Sequence, residues 1–351
     1  MDFDRLLIDW YNRNKRDLPW RKITDPYRIW VSEVILQQTR VQQGLEYYQR
    51  FVGRFPDVAS LANAGEDEVM KVWQGLGYYS RARHMQQAAR CILEDHNGVF
   101  PQSPDKILRL KGIGEYTAAA IASIAFGEPY PVIDGNVMRV VARYLGIREP
   151  VNAAPGKKRV KKFLDGVIDH RQPGAFNQAV MELGALVCIP GRPLCNQCPL
   201  QPGCAAFKES MTENLPLLKK NDPPKPRYLH YLVILSQEND QPFIWIKKRL
   251  EKDIWRNLYD FPLIETGHVM NVGELTETPE WKALFMNTFF QVEPMVQKVR
   301  HVLTHRVLHV QFFIIRSEDF FMESCLKVSL DQVHNYPVPK LIENFLKKSR
   351  F

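Results

Sequence analysis

The sequence predicts a multidomain protein in which an all-α part is followed by an α+β domain. Helical apolar periodicity dominates residues 1–211, and strand-like patterns dominate residues 228–351. Between them, residues 212–227 contain four prolines and little periodicity, which is typical of an extended and fairly stiff linker. With 351 residues, the chain is long enough for two domains with cores of ordinary size.

The all-α part contains recognisable helix signals. Asp25 followed by Pro26 is typical of an N-cap and a first helical residue, and it predicts a helix over Tyr27–Arg40. Apolar periodicity predicts further helices near residues 3–14, 42–52, 66–74, 81–96, 116–126, 136–145, 157–170 and 175–187.

The α+β part begins with two strand patterns. Tyr228–Ser236 and Phe243–Lys248 flank Glu238-Asn239-Asp240, which predicts a hairpin. A further strand is predicted at Val307–Ile315, and a closing helix at Lys340–Lys348.

Composition and charge exclude several classes of protein. The chain is 45% hydrophobic and 25% charged, without an apolar signal core or a run long enough to span a membrane. We therefore expect a cytoplasmic protein with no membrane partner. The net charge is +8, and residues 1–210 contribute +6 of it, from 28 basic and 22 acidic residues. This imbalance favours a polyanionic partner.

A group of four cysteines with the spacing C-x6-C-x2-C-x5-C predicts one compact metal site. These residues are Cys188, Cys195, Cys198 and Cys204. Thiolate ligands select zinc or an iron–sulfur cluster, and ligand type alone does not separate the two. A disulfide knot is disfavoured because the other two cysteines, Cys91 and Cys325, are isolated, as expected in a reducing compartment.

A short glycine motif, Lys111-Gly112-Ile113-Gly114, precedes the apolar helix that contains Ala118–Phe126. Two glycines two apart allow a tight hairpin with its backbone amides directed outward at a helix N-terminus, which is an anion site that suits a DNA phosphate. Taken alone, the same motif is equally typical of an ordinary connection between two helices.

These motifs occur in an order that resembles a known superfamily. Gly114-Glu-Tyr116-Thr-Ala, then Pro131-Val-Ile-Asp134-Gly-Asn136-Val, then the cysteine loop resemble the helix-hairpin-helix glycosylases of the endonuclease III superfamily. Within it, Val31-Ser-Glu33-Val-Ile-Leu-Gln-Gln38-Thr39-Arg40 and Gly75-Leu-Gly-Tyr78-Tyr-Ser-Arg81 resemble the adenine DNA glycosylase (MutY) family. Trp255–Pro262 extends the match into the last domain.

The resemblance implies a domain organisation and a cofactor. Residues 1–211 would form helix-hairpin-helix glycosylase domains, with one structural 4Fe–4S cluster held by the cysteine loop 188–204. Residues 228–351 would form a MutT-like (Nudix) domain that recognises 8-oxoguanine. We expect a monomer associated with the nucleoid.

The expected chemistry is hydrolysis of an N-glycosidic bond, for which two carboxylates in different environments are sufficient. Glu33 follows Ile29-Trp30-Val31 on a largely apolar helix, where burial would raise its pKa and keep it protonated. The residues alone favour a glutamate on the surface. By resemblance, Glu33 protonates the flipped adenine at N7. Asp134 has the sequence context of an N-cap, and by resemblance it stabilises the sugar cation, oriented by Asn136.

Tyr116 stands where related lyases place a lysine that attacks the sugar. A tyrosine forms no imine, so the enzyme is expected to be monofunctional and to leave an abasic site. The resemblance also places Gln38 and Tyr78 as wedges in the base stack, and Thr39 and Arg21 near the adenine pocket, because adenine must be extruded from the duplex.

The second domain has no glutamate-rich R-E-x-x-E-E segment after Gly267, so it is expected to bind and not to hydrolyse. Its recognition loop corresponds to Leu303-Thr304-His305, where the family commonly has Phe-Ser-His. The expected partner is therefore double-stranded DNA with adenine opposite 8-oxoguanine or guanine. Two alternatives stay open: an endonuclease III-like enzyme for damaged pyrimidines with strand nicking, and a non-catalytic iron–sulfur DNA-binding protein.

Overall fold

The computed structural model describes residues 3–219, 222–286, 288–294 and 296–349. Its residues fall into two compact units. The first contains the described residues up to Asn63 and from His84 to Lys219. The second contains Ala64–Arg83 together with the described residues from Asp222 onward. The second unit therefore includes a segment that precedes its main part by more than a hundred residues of sequence.

Helices account for most of the chain before the cysteine loop ends. In chain order they are α1 (Phe3–Asn14), α2 (Pro26–Leu36), α3 (Val41–Arg54), α4 (Val58–Asn63), α5 (Glu66–Trp73), α6 (Ser80–Asp95), α7 (Pro104–Arg109), α8 (Glu115–Phe126), α9 (Gly135–Leu145), α10 (Ala154–Val167), α11 (Pro173–Leu186) and α12 (Ala205–Lys208). Short 3₁₀ turns lie at Pro19–Arg21, Cys195–Gln197 and Gln201–Gly203. The helices predicted from periodicity are confirmed, and α4, α7 and α12 are additional.

The helix predicted over Tyr27–Arg40 is shorter than expected. Asp25 caps it as predicted, because its carboxylate accepts a hydrogen bond from the amide of Tyr27. It ends at Leu36, and Gln38 has a left-handed φ of 59°. An α-helix cannot continue through that conformation, so Gln38 and the residues after it form a connection and not a last helical turn.

The core of the first unit forms where α1, α9 and α11 pack together. Leu7, Val141 and Phe176 are fully buried there. The proline-rich segment is fixed to this unit as far as Lys219, since the amide of Lys219 donates to Asn152 over 2.8 Å and Leu215 is buried. The start of α9, which carries the predicted catalytic residue Asp134, is thus attached to a tightly packed helical core.

The second unit is built on an eight-stranded sheet, counted over the described residues. Its strands are β1 (Lys225–Glu238), β2 (Gln241–Lys248), β3 (Tyr259–Asp260), β4 (Leu263–Thr266), β5 (Gln291–Val292), β6 (Gln297–Val302), β7 (Arg306–Arg316) and β8 (Cys325–Ser329). The main path is β3-β2-β1-β7-β5, with β1 and β7 parallel. The predicted β1–β2 hairpin is confirmed, and both Asn239 and Asp240 have positive φ.

Helices cover both faces of this sheet. On one face, α13 (Val272–Thr276) and α14 (Pro279–Leu284) bury Trp281 against Leu232 and Phe313. On the other face, α15 (Lys340–Lys348) stacks Phe345 on Phe312 with ring centroids 4.0 Å apart. No helix among the described residues is long and apolar enough to cross a lipid bilayer.

Candidate active site

Glu33 lies on the buried face of α2 and is 6% exposed. Burial raises the pKa of its carboxyl, a hydrogen bond from Tyr116 lowers it, the nearby carboxyl of Asp134 raises it and the charge of Arg21 lowers it, with a net pKa of about 7. The phenol of Tyr116 donates to Oε2 of Glu33 over 2.5 Å. A carboxyl with this pKa is protonated in a large fraction of molecules at neutral pH, as a general acid requires.

Asp134 caps the N-terminus of α9, as predicted from sequence. Its Oδ1 accepts from the amide of Val137 over 2.7 Å, and its Oδ2 accepts from the side-chain amide of Asn136 over 2.8 Å. Burial raises the pKa of Asp134, while these hydrogen bonds and the charge of Arg139 act in the opposite direction. Two donors therefore support the charge of the ionised Asp134 carboxylate, whereas Glu33 has one side-chain donor among the described residues, Tyr116.

Arg139 holds Asn136 in place. Its Nη2 donates to Oδ1 of Asn136 and to the carbonyl of Gly184, both over 2.8 Å. Its Nε donates to the carbonyl of Cys188 over 2.7 Å. One guanidinium therefore connects the amide that orients Asp134 to the start of the cysteine loop.

Gly184 permits the close approach of α11 to α9. A Cβ atom at this position would lie 2.6 Å from Cβ of Asn136, far inside van der Waals contact. The backbone that carries Asp134 and Asn136 can sit against α11 only because residue 184 has no side chain.

Glu182 is a buried carboxylate that the sequence prediction missed. It accepts from Nη1 and Nη2 of Arg21 over 2.7 and 2.5 Å, and from Nε and Nη2 of Arg16 over 2.9 and 2.5 Å. Burial alone would raise its pKa, but the hydrogen bonds from the two arginines lower it to about 2. Glu182 follows apolar residues on α11, the same signal that pointed to Glu33 on α2.

These side chains surround a cavity of about 680 Å³, a volume suited to a ligand of nucleobase or nucleoside size. Of the residues predicted from sequence, the cavity brings together Arg21, Glu33, Thr39, Tyr116, Asp134 and Asn136. Those that the sequence analysis did not identify include Arg16, Arg139, Gln178, Met181, Glu182 and Gly184. Gln38, exposed and with positive φ, is outside the residues that line it.

The glycine motif forms the predicted hairpin between α7 and α8. Gly112 has a φ of 78°, and a Cβ atom there would lie 2.5 Å from Cβ of His84, so only glycine fits. Gly114 occupies the N-cap position of α8, and Lys111 is exposed. The hairpin leads directly into the first turn of α8, which carries Tyr116. A phosphate bound at Gly114 would therefore lie two residues in sequence from a side chain that lines the cavity.

The four cysteines of the loop line one small, apolar cavity with Val140 and Leu183. Burial raises the pKa of Cys198 to about 12 and also raises the pKa of Cys195 and Cys204. Thiolates in such a place need a cation to stabilise them. Over the described residues, no three or more His, Cys, Asp or Glu side chains converge closely enough for a single metal ion.

The remaining predicted DNA contacts lie in the second unit. Leu303, Thr304 and His305 form the turn of the β6–β7 hairpin, closed by a hydrogen bond from the amide of Leu303 to the carbonyl of Arg306. Tyr78 is 47% exposed, and its hydroxyl lies 2.6 Å from that of Thr304. Two residues 226 positions apart in sequence therefore form one surface element.

Two sequence families match this chain. Residues 31–168 match the HhH-GPD superfamily of base excision DNA repair proteins, and residues 230–348 match the NUDIX domain. The segment after β4 lacks the glutamate-rich R-E-x-x-E-E sequence and forms the two short helices α13 and α14.

Curated relatives match over most of the chain. An adenine DNA glycosylase of Buchnera aphidicola (Acyrthosiphon pisum) is 34% identical, with 98% of each chain covered. An adenine DNA glycosylase of Rattus norvegicus is 33% identical over 90% of this chain and 70% of its own. Among solved structures, a thermostable thymine-DNA glycosylase is 27% identical with a TM-score of 0.55, over 59% of this chain and 95% of its own. The chain therefore belongs to the adenine DNA glycosylase (MutY) family of the HhH-GPD superfamily of base excision DNA repair proteins, with a C-terminal NUDIX domain.

Proposed function

We propose that this protein is a monofunctional DNA glycosylase that hydrolyses the N-glycosidic bond of adenine mispaired with 8-oxoguanine or guanine. The observation that carries the proposal is the pair of desolvated carboxyls, Glu33 and Asp134, on the wall of one cavity. The raised pKa of Glu33 suits proton donation, and the donors around Asp134 suit an anion. The names of the relatives support adenine as the base.

The proposed reaction divides the work between the two carboxyls. Glu33 gives its proton to N7 of the extruded adenine, and the bond from C1′ to N9 breaks with both electrons on the base. Asp134 stabilises the positive charge that develops on the sugar, or captures it covalently. Water then adds its oxygen to C1′, displacing the carboxylate of Asp134 if the two are bonded, and returns a proton to Glu33. Asn136 orients Asp134 throughout through its 2.8 Å hydrogen bond.

Tyr116 has a proposed role in keeping the reaction monofunctional. Burial and the neighbouring charge of Glu33 raise the pKa of the phenol, so it remains a hydrogen-bond donor. No amine occupies this position to attack C1′ and form an imine, so the abasic product is left with its strand intact.

The cysteine loop is proposed to hold one 4Fe–4S cluster through Cys188, Cys195, Cys198 and Cys204. Arg143 supports this fit, since it donates to Sγ of Cys188 over 3.4 Å and to the carbonyl of Ile189 over 2.8 Å. A bound cluster would join the four sulfurs and fix the loop from Cys188 to Cys204 as a DNA-facing element.

DNA contacts are proposed at three further places. The hairpin residues Lys111, Gly112 and Gly114 would bind a phosphate, and Gln38 and Tyr78 would wedge into the stack. The turn formed by Leu303, Thr304 and His305 would read 8-oxoguanine. We further propose that the protein acts as a monomer on cytoplasmic, nucleoid-associated DNA.

The test is single-turnover cleavage of duplexes with adenine opposite 8-oxoguanine, guanine or thymine, each read with and without alkali. Alkali-dependent cleavage of the adenine strand, fastest opposite 8-oxoguanine, is expected. Glu33→Gln should abolish it, whereas Glu46→Gln, an exposed carboxylate on α3, should not. Nicking of damaged pyrimidines without alkali, in place of adenine release, would contradict the proposal.

A further inference from the structure

Asp67 on α5 connects this helix to the sheet of the second unit. Its Oδ1 accepts from Nζ of Lys248 on β2 over 2.5 Å, and its Oδ2 accepts from the phenol of Tyr259 on β3 over 3.0 Å. The ammonium of Lys248 also lies 5.4 Å from the centroid of the Tyr259 ring. One carboxylate therefore joins two strands to the helix.

Other polar side chains of the same segment bind the same part of the chain. Glu66 accepts a hydrogen bond from the side-chain amide of Asn257. Lys71 donates to the backbone carbonyls of His334 and Tyr336. Oε1 of Gln74 accepts from the amide of Val338 over 3.1 Å. The helix is thus attached at both of its ends, by Glu66 and Asp67 in its first turn and by Lys71 and Gln74 at its C-terminus.

The loop that follows α5 has a constrained backbone. Gly75, Gly77 and Tyr78 all have positive φ, and the value for Tyr78 is 48°. The carbonyl of Gly77 accepts from Nε1 of Trp73 over 3.1 Å and from Nη2 of Arg81 over 3.2 Å. A non-glycine residue persists in this conformation only when its surroundings fix it.

We propose that Asp67 is a positioning residue through which the sheet fixes α5, so that Tyr78 and Thr304 meet DNA as one preformed element. The proposal rests on the proposed function, in which these two residues contact the lesion-bearing strand. A loop that is ordered before binding loses less conformational entropy when it binds DNA. The resulting gain in binding free energy should be largest for adenine opposite 8-oxoguanine, the base pair that this surface is proposed to recognise. Asp67 touches no substrate atom and acts only through α5 and its loop.

The pair of Asp67 and Lys248 is partly exposed, with 44% and 30% of the side-chain surfaces accessible. Exposed pairs of this kind add little to global stability, so variants at either position should fold. We expect these variants to make residues 75–79 less ordered and to reduce the preference for adenine opposite 8-oxoguanine over adenine opposite guanine.

The experiment compares Asp67→Asn, Lys248→Met and the double variant with wild-type protein. Glu280→Gln is the matched control, since it removes an exposed carboxylate from α14 of the same unit. Single-turnover rates are measured on adenine opposite 8-oxoguanine and opposite guanine. We expect the ratio of the two rates to fall about fivefold in Asp67→Asn, with no additional fall in the double variant.

Amide hydrogen exchange of residues 75–79, read by mass spectrometry without DNA, is the second measurement. Exchange should be faster in Asp67→Asn and unchanged in Glu280→Gln. Wild-type exchange and a wild-type rate ratio in Asp67→Asn would overturn the proposal, as would an equal loss of rate on both substrates. If wild-type protein releases no adenine, the proposed function fails, and the exchange measurement alone then decides whether Asp67 orders the loop.

Discussion

The phenol of Tyr116 donates a 2.5 Å hydrogen bond to the buried carboxyl of Glu33. This bond lowers the pKa of Glu33, whereas burial raises it more, and the result is about 7. The proton that Glu33 is proposed to deliver is therefore held near the pH at which the enzyme would work, and the bond to Tyr116 adjusts how readily it is released.

The single-turnover rate should follow the protonation state of Glu33. Because the proposed acid is active only when protonated, the single-turnover rate should fall as pH rises through about 7. Tyr116→Phe removes the hydrogen bond that favours the carboxylate, so its rate should fall at a higher pH than that of the wild type. The measurement is a pH–rate profile of both proteins on the same duplex. A profile that moves to lower pH in Tyr116→Phe would contradict the assignment of Glu33 as the acid.

Glu33→Gln should lose roughly 10²- to 10⁴-fold of the single-turnover rate, the usual contribution of a general acid. The same variant should be more stable than wild type, because a buried carboxyl with a raised pKa opposes folding once it ionises. Below about pH 4.5 the carboxyl of Glu33 is protonated in both the folded and the unfolded state, so the difference in stability between variant and wild type should not change with pH. Between pH 4.5 and 7 this difference in the free energy of unfolding should grow to the order of 3 kcal/mol. Denaturant unfolding at pH 4, 6 and 8 measures it, and Glu46→Gln should show no such trend.

Local sequence features were sufficient for much of the site. The Asp25-Pro26 start signal predicted the start of the helix that carries Glu33, and it is confirmed. The N-cap context of Asp134 was equally local, and it is confirmed. In each case the residues that decide the outcome lie within a few positions of the functional residue.

Features that depend on distant parts of the chain were not predicted. Glu182 binds arginines 161 and 166 positions away, and no local pattern indicates that they meet. The contact of Tyr78 with Thr304 spans 226 positions. Five short strands were also missed, since β3, β4, β5, β6 and β8 have two to six residues and acquire their conformation from pairing with β1, β2 or β7.

Gly184→Ala tests the close approach of α11 to α9. The added methyl would lie 2.6 Å from Cβ of Asn136, so the backbone of Asn136 and Asp134 must move. We expect the rate to fall about 10- to 100-fold, since misplacement of a catalytic group by about 1 Å is sufficient for that. Gly166→Ala on α10 is the control, because nothing lies within 4 Å of the position that its added methyl would take, and it should retain full activity. Equal activity of the two variants would show that the contact does not position Asp134.

Glu182→Gln should destabilise the protein strongly, because it leaves the guanidiniums of Arg16 and Arg21 close together without their anion. Breaking a buried ion pair typically costs about 3–5 kcal/mol. In wild type, the lowered pKa of Glu182 contributes stability above about pH 4.5, and this contribution is lost as pH falls toward 2. Denaturant unfolding at neutral and acid pH measures both effects. Glu149→Gln, which breaks the exposed pair with Arg159, should leave the stability of the protein almost unchanged.

Cys198→Ser tests the proposed cluster. Cys198 is one of the four proposed ligands, so its replacement should remove the cluster and leave the loop without its cross-link. Iron and sulfide content should fall, and thermal stability and DNA binding should fall with them. Because Arg139 binds the carbonyl of Cys188 as well as Asn136, the rate on bound DNA should also decrease. Cys91→Ser changes a cysteine outside the loop whose thiol donates to Asp95, and it should match wild type in all four measurements. Full iron content in Cys198→Ser, or an iron-free protein with unchanged stability and DNA binding, would contradict a structural cluster at this site.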